Sequence, residues 1–275
     1  MQKPSSKITG PIPRDTAAGT PLARLEQIPP LHIKRGRYEM FFARTREQRG
    51  AILRLRYEVF CMELGEGLAD AIRTGLDEDP FDEACQHLLV WDRQTDRIVG
   101  TYRMQTWTNA CEGLGFYTGQ EFDLGRLGTR FAKNNVELGR ACVAREHRGR
   151  SVLMLLWQGL MAYLAFHGKT GFFGCSSLTG QDMDEGRRLY AQLEQAGHVH
   201  SSLSTVPLEG WQCDSPLPGT SPGAKVAIPR LFRSYLRQGA KILSPPAIDR
   251  EFGTIDFLTF VQVDSGHRKR FDLAL

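Results

Sequence analysis

The segment NNVELGRACVAREHRGRSVLMLLWQGLMAYLAF, Asn134 to Phe166, crowds a Glu, a Gly and several Arg into the joint between an apolar strand-like stretch and a long apolar helix. A strand feeding a short loop and then a helix aims the helix's free N–H groups, and the positive end of its dipole, at whatever lies before the loop. Such a joint suits a phosphate. Here the loop is Arg145–Arg150. Arg145, Arg148 and Arg150 add charge, Gly149 allows close backbone approach, and Ser151 stands where it can cap the helix. A capped helix ringed by solvated arginines is the plain alternative.

These residues need a scaffold. Tyr38–Ala43 reads as a first strand, and Arg46–Leu64 as an amphipathic helix with Ile52, Leu55 and Val59 on one face and Thr45 as its N-cap. Cys85–Trp91 and Ile98–Gln105 are apolar strands joined by the turn sequence DRQTDR, and a Gly-rich aromatic loop, CEGLGFYTGQEFDLGRLG, follows. Strand Val136–Val143, helix Ser151–Phe166, strand Gly171–Ser176, helix Met183–Gln195 and strand His198–Leu203 continue the series. Trp211–Ala224 reads as a Pro/Gly-rich loop, Pro229–Gln238 as a helix closed by Gly239, and Ile255–Val263 as a last strand. The order predicts an α/β fold with one mixed sheet in a single domain over residues 31–275, ending in a C-terminal extension. Residues 1–30, rich in Pro among Ser, Thr and Gly, read as a flexible arm.

With 275 residues, 41% of them hydrophobic, the chain can bury a real core. Apolar runs such as Val152–Trp157 fall far short of the roughly 20 residues that cross a bilayer. The N-terminus lacks the apolar core of a signal peptide, so a cytoplasmic location is expected. Cys61, Cys85, Cys111, Cys142, Cys175 and Cys213 form no CxxC pair or Cys/His cluster, so neither a metal site nor a disulfide framework is expected. The net charge of +4 is uneven: Lys34–Arg56 and Arg230–Lys241 are basic, Asp70–Glu83 acidic. Basic faces of this kind suit an acidic protein, an anionic membrane surface or a phosphate group. No nucleic-acid partner is expected.

The joint is similar to the pyrophosphate loop of the GNAT acyltransferase superfamily, Gln/Arg-x-x-Gly-x-Gly/Ala, but with Glu146 and Ser151 in the outer positions around Gly149. That departure speaks against coenzyme A and for a donor with a different phosphate arrangement. Acyl carrier protein, with one phosphate on a pantetheine arm and an acidic surface, would suit the basic patches. In order the chain carries RYEVF (Arg56, Phe60), DEDPFDEA (Asp79, Asp82), VGTYR (Arg103) and VELGR (Glu137, Arg140), a series that resembles the acyl-homoserine-lactone synthases. The resemblance is closer to the ornithine-lipid N-acyltransferases. It is carried by CQHLLVWD, IVGTYR, GFYTGQEFDL, VELGRACV with RGR, LLWQGL, GCSSL and the late IPRLFRSYLRQGAKILSPPAIDREFGTIDFL, covering residues 37–263. The lactone synthases are not similar across that late segment.

This resemblance implies a GNAT-like sheet, mostly antiparallel, flanked by helices and splayed between its fourth and fifth strands, Val136–Val143 and Gly171–Ser176. It implies an enzyme that moves a 3-hydroxyacyl chain from acyl carrier protein to the α-amine of L-ornithine, the first step of ornithine lipid synthesis. No cofactor beyond the carrier's phosphopantetheine is implied. Glu137 would be the general base, with Arg140 beside it. Arg56, Asp79, Asp82 and Arg103 would shape the acceptor side, carboxylates facing ammonium groups and an arginine fork facing the amino acid carboxylate. Arg145, Arg148, Gly149, Arg150 and Ser151 would hold the donor phosphate, and backbone N–H groups at the splay the thioester oxyanion. Glycine or a homoserine moiety are alternative acceptors. A non-catalytic acyl-carrier or lipid-binding module is the alternative outside enzymes.

A shared cleft for Glu137 and Arg140 makes a geometric demand. Residues three apart on a regular strand face opposite ways. A bulge near Gly139 is therefore expected. His87 and Asp92 match an H-x-x-x-x-D acyltransferase signature, but their spacing on a strand sets them on opposite faces. Cys142 and Cys175 read as packing residues, His198 and His200 as structural ones. The segment IPRLFRSYLRQGAKI can rest its apolar side on an anionic membrane or bury it in the domain.

Overall fold

The computed structural model describes residues 20–213 and 225–271. A hairpin of β1 (His32–Arg35) and β2 (Tyr38–Phe42) leads into α1 (Arg46–Tyr57). Thr45 starts α1 as expected: its hydroxyl accepts from the Gln48 N–H at 3.3 Å and Gln48 Oε1 accepts from the Thr45 N–H at 3.3 Å, a reciprocal cap. The helix runs on as a π-helical stretch, Glu58–Leu64, stopped by Gly65 at φ 69°. Next come α2 (Ala69–Thr74), a 3-10 turn (Pro80–Glu83), β3 (Gln86–Asp92) and β4 (Arg97–Gln105). After α3 (Trp107–Glu112) and α4 (Gly128–Asn134), β5 (Asn135–Val143), α5 (Arg150–Phe166), β6 (Gly171–Thr179) and α6 (Met183–Gln195) alternate. The chain closes with α7 (Arg230–Arg237), β7 (Lys241–Ile242), β8 (Ala247–Asp249), β9 (Thr254–Gln262) and α8 (Ser265–Arg270).

The strands form one sheet in the order β1-β2-β3-β4-β5-β6-β9-β7, with β8 also on β9. Every pairing is antiparallel except β5 with β6. Helices cover both faces, which is why LLVW in β3 is a continuous apolar run. Leu88 and Val90 pack with Met40, Leu156 and Leu160 on the α5 face; Leu89 and Trp91 pack with Phe41, Ile52 and Leu55 on the α1 face. Gly159 lets α5 approach closely, because a Cβ there would meet Leu88 at 2.6 Å.

β5 and β6 pair only from Asn135 to Glu137, against Gly171 to Phe173. Beyond that rung they part, as the expected splay requires. Gly174 sits at the fork, where an added Cβ would lie 2.1 Å from the Leu138 carbonyl oxygen.

Several elements differ from the reading of the sequence. The Gly-rich aromatic stretch holds α3, two 3-10 turns and α4. His198–Leu203 is not a strand; it makes one bridge, Val199 to Ile242, because His200 Nδ1 accepts from the N–H groups of Ser202 and Leu203 and bends the chain. β1, β7 and β8 are short strands without a clear apolar alternation. Within the expected arm, residues 1–19 lie outside the described residues, while Leu22 donates its N–H to the Arg44 carbonyl and Ile28 is buried in the core. The expected loop Trp211–Ala224 is described only to Cys213. Among the described residues no helix is long and apolar enough to cross a membrane.

Candidate active site

The demand on Glu137 and Arg140 is met by the backbone. Arg103 pairs with Gly139 and Thr101 with Cys142, so β5 carries one residue more than β4 over this span. That is the expected bulge, although the left-handed residue is Arg140, at φ 47°, and not Gly139. Glu137 and Arg140 both reach a cavity of about 730 Å³ that fills the fork between β5 and β6.

Strand alternation sorts the cavity walls. Glu137, Phe173 and Cys175 point to the α1 face, as does Asp256, which pairs with Ser177 across β6 and β9. Leu138 and Phe172 point to the α5 face. There the wall is completed by Gly149 at the start of α5 and by Arg230 and Arg233 of α7. Two approaches from opposite faces thus meet in the fork.

Glu137 is 5% exposed, and its carboxylate accepts from the Tyr117 N–H at 3.0 Å, the Thr118 N–H at 2.8 Å and the Thr118 hydroxyl at 2.7 Å. Burial raises its pKa, with the Thr118 and Tyr117 bonds opposing, so the carboxylate holds a proton more tightly than an ordinary Glu. A group so tuned can accept a proton from an attacking nucleophile.

Arg56, Asp79, Asp82, Arg103 and Arg140 come together as expected, with Asp77 added. Arg56, fully buried, donates to Asp77 at 2.7 Å and to both oxygens of Asp82 at 2.6 and 3.1 Å. Arg103 donates to Asp79 at 2.6 Å and Asp82 at 3.0 Å, and Arg140 to Asp79 at 2.9 Å. The Asp-x-x-Asp spacing is itself a cap: the Phe81 N–H bonds Asp79 Oδ1 and the Asp79 N–H bonds Asp82 Oδ2, each at 2.9 Å, with Pro80 in the first turn. Burial works against the charge of Asp82, yet Arg56 and Arg103 hold its pKa far below the usual range.

The network changes what was expected of the acceptor side. Arg103 and Arg140 line the cavity; Arg56, Asp79 and Asp82 stand behind them, the two carboxylates engaged with the arginines and not open to an incoming ammonium. Arg140 is also stacked on Phe252, with its guanidinium 4.2 Å from the ring centre.

Residues 55–158 match the family described as Acetyltransferase (GNAT) domain. The chain is 32% identical over 249 residues to the L-ornithine N(alpha)-acyltransferase of Agrobacterium fabrum (strain C58), covering 84% of this chain and 82% of that protein. It is 33% identical over 243 residues to the enzyme of the same name from Brucella abortus (strain 2308), covering 83% and 85%. The chain belongs to the L-ornithine N(alpha)-acyltransferase family. It is an acyltransferase. Among solved structures, a CoA-dependent acyl-homoserine lactone synthase, BjaI, is 14% identical at a TM-score of 0.46, covering 82% of this chain and 83% of that one.

In this family member the loop before α5 is built differently from its sequence reading. Gly149 is the N-cap and offers no side chain, while Ser151 lies in the first turn of α5, exposed, and does not cap it. The first amides of α5 are thus left without a side-chain acceptor. Arg148 is bidentate to Glu63 at 2.5 and 2.8 Å and donates to the Val143 carbonyl, whereas Arg145 and Arg150 are exposed. The H-x-x-x-x-D residues do not meet: His87 bonds the Asp82 carbonyl and Asp92 pairs with Arg37. α7 turns Phe232 and Leu236 into the core and bonds Tyr235 to Tyr102 at 2.6 Å, so its apolar side is buried in the domain, with Arg230, Arg233 and Arg237 outside.

Sequence reasoning missed Asp77, Glu63, Tyr117, Thr118 and the buried Glu121, and it left Asp249 and Asp256, within the late segment that carries the resemblance, without a role. Only GFYTGQEFDL, singled out as a stretch, pointed toward Tyr117, Thr118 and Glu121.

Proposed function

We propose that the enzyme transfers a 3-hydroxyacyl chain from acyl carrier protein to the α-amine of L-ornithine, giving lyso-ornithine lipid. The observation that carries this reading is the bulge at Arg140, which sets Glu137 and Arg140 on one wall of the fork, opposite the open N-terminus of α5. Kinship with proteins named for ornithine N-acylation supports the acceptor.

Glu137 takes a proton, directly or through water, from the ornithine α-ammonium, whose reference pKa of about 8 leaves it mostly charged near neutral pH. The freed amine attacks the thioester carbonyl to form the C–N bond. Backbone N–H groups along the unpaired stretches of β5 and β6 face the oxyanion. The C–S bond then breaks, the carrier's pantetheine leaves as a thiol after taking up a proton, and the nitrogen sheds its own. Transfer is direct, so no cysteine is acylated; burial raises the Cys175 thiol well above its ordinary pKa, which suits an inert thiol. The exposed arginines of α7 and of the α5 loop form a basic rim suited to an acidic carrier, and the α5 amides to its single phosphate.

Purified protein mixed with 3-hydroxyacyl-carrier protein and L-ornithine tests the reading by mass spectrometry. An amide-linked 3-hydroxyacyl ornithine is expected. A product formed equally well from the coenzyme A thioester would remove the carrier from the proposal, and acylation of glycine in preference to ornithine would replace the acceptor.

A further inference from the structure

On the α1 face of the fork, past Glu137, the cavity reaches two buried acids that the reaction above does not use, Asp249 and Asp256, with the fully buried Glu121 beside Asp256 just outside the lining. Glu121 follows the 3-10 turn that carries Tyr117 and Thr118; Cys175 stands two residues beyond Phe173 on β6; Asp256 comes from β9 and Asp249 from β8. One ligand atom each from Glu121, Cys175 and Asp256 lies within 4.8 Å of the others. Asp249 is held by the Tyr117 hydroxyl at 3.2 Å and by the N–H groups of Glu251 and Phe252 at 2.9 and 2.8 Å.

The arginine network shows what this chain does with acids that belong to its own interior: it pairs each one. The second group is different. Among the described residues no Arg, Lys or His forms an ion pair with Glu121, Asp249 or Asp256. Asp256 is 4% exposed, its Oδ1 has no hydrogen-bond partner, and its residue lines the cavity. A buried carboxylate oxygen without a donor costs roughly 1–3 kcal/mol, more when charged. Fold stability gives no reason to keep one.

We infer that Glu121, Asp249 and Asp256 form the subsite for the side-chain ammonium of the acceptor, and so select a diamino acid over a neutral one. The inference rests on the ornithine reading above and deepens it. Two residues of strand separate Phe173, beside Glu137, from Cys175, about 6.6 Å. That is a fitting span for an amino acid whose α-amine lies at Glu137 and whose side-chain ammonium lies among the acids. The ammonium supplies the donor that Asp256 Oδ1 lacks. Arg140, on the same wall and already held by Asp79, keeps a positive group near the acceptor's carboxylate.

The same atoms are close enough to bind a metal ion, and the test separates the two. Binding of L-ornithine, L-lysine and L-norvaline to the full chain is measured by calorimetry, for wild type, Asp256→Asn and Glu121→Gln, after metal analysis of the purified protein. Wild type is expected to bind ornithine at least tenfold more tightly than norvaline. Asp256→Asn should lose that preference while its weak norvaline affinity holds and its fold is no less stable than wild type, and Glu121→Gln serves as the second variant if Asp256→Asn does not fold. Ornithine binding unchanged in Asp256→Asn, or stoichiometric metal in wild type that ornithine does not displace, overturns the subsite. If wild type prefers lysine with the same dependence on Asp256, the subsite stands and ornithine as acceptor falls. If it binds none of the three, both fall.

Discussion

Arg140 reaches Asp79 at 2.9 Å from a backbone held at φ 47°, so the contact exists only because β5 is bulged there. The left-handed conformation costs a non-Gly residue about 1 kcal/mol or more. Removing the guanidinium takes one of two arginine partners from Asp79, which keeps Arg103, and from Asp77, which keeps Arg56, so the loss falls below the roughly 3–5 kcal/mol of a fully unpaired buried charge. Arg140→Ala keeps the strain and loses the partner; Arg140→Gly loses both. Urea unfolding should therefore show both variants destabilised, with Arg140→Gly the more stable by about 1 kcal/mol, and both should lose most of the acylation rate. Equal stability of the two would mean that the bulge carries no strain.

Glu137→Gln separates the base from the anchor. The carboxylate of Glu137 accepts from two backbone N–H groups and a hydroxyl, and an amide retains one acceptor while turning its NH2 toward one of the donors. We expect kcat to fall by about 10²–10⁴ for loss of a general base, with a stability loss of about 1–3 kcal/mol from the mispaired donor. In wild type kcat/KM should decline as pH drops through a value above the ordinary carboxyl range, because burial raises the Glu137 pKa. An acid limb that persists unchanged in the residual activity of Glu137→Gln would assign it to another group.

Asp82 joins Arg56 to Arg103, and its replacement tests whether the network behind the wall sets the wall. Asp82→Asn should destabilise the fold by roughly 3–5 kcal/mol. Burial opposes its ionisation, yet the arginines win and its folded pKa lies far below the unfolded one. Its contribution is therefore present above an unfolded pKa of about 3.9 and is lost only as pH falls further. In the folded fraction the KM for the acceptor should rise more than kcat falls, because Arg103 loses one of the two carboxylates that position it. A variant with wild-type KM would confine Asp82 to stability.

Much of this was legible because strand periods and caps are local. Thr45, Pro229 with Gly239, and the runs around β3, β4 and β9 each declare themselves within a few residues. The bulge could be read from a conflict: Glu137 and Arg140 could not share a face on a regular strand. What was not legible depends on contacts between distant segments. Asp77 lies in an acidic stretch that resembles a solvated loop, and it takes Arg56, 21 residues earlier, and Arg140 from β5 to make it a buried ion. Asp256 sits in IDFL, where a strand residue gives no hint that Ser177 will face it and that Glu121 will close the other side. Ser151 misled because a Ser beside a helix start usually caps it; here Gly149 takes the position and leaves the amides open.

Asp256 and His87 shift stability with pH in opposite senses. Burial pushes the Asp256 carboxyl up to about 6, with Asp249 adding to the rise and the Ser177 and Thr254 side chains opposing it; Glu121, across the same space, is raised too. Between about pH 4 and 6 the folded chain then holds a proton that the unfolded chain has released, so unfolding becomes easier as pH rises. A shift of about two units corresponds to about 3 kcal/mol. Burial lowers His87 to about 4, so from about pH 6.5 down to 4 the unfolded chain binds the extra proton and stability rises with pH. The two slopes largely cancel in wild type. Urea unfolding of Asp256→Asn at pH 4, 5, 6 and 7 should expose the His87 slope, with the variant matching wild type at pH 4 and exceeding it by up to about 3 kcal/mol at pH 7. Saturating ornithine should narrow that gap by stabilising wild type alone. A gap that is the same at every pH would show that Asp256 does not titrate in this range.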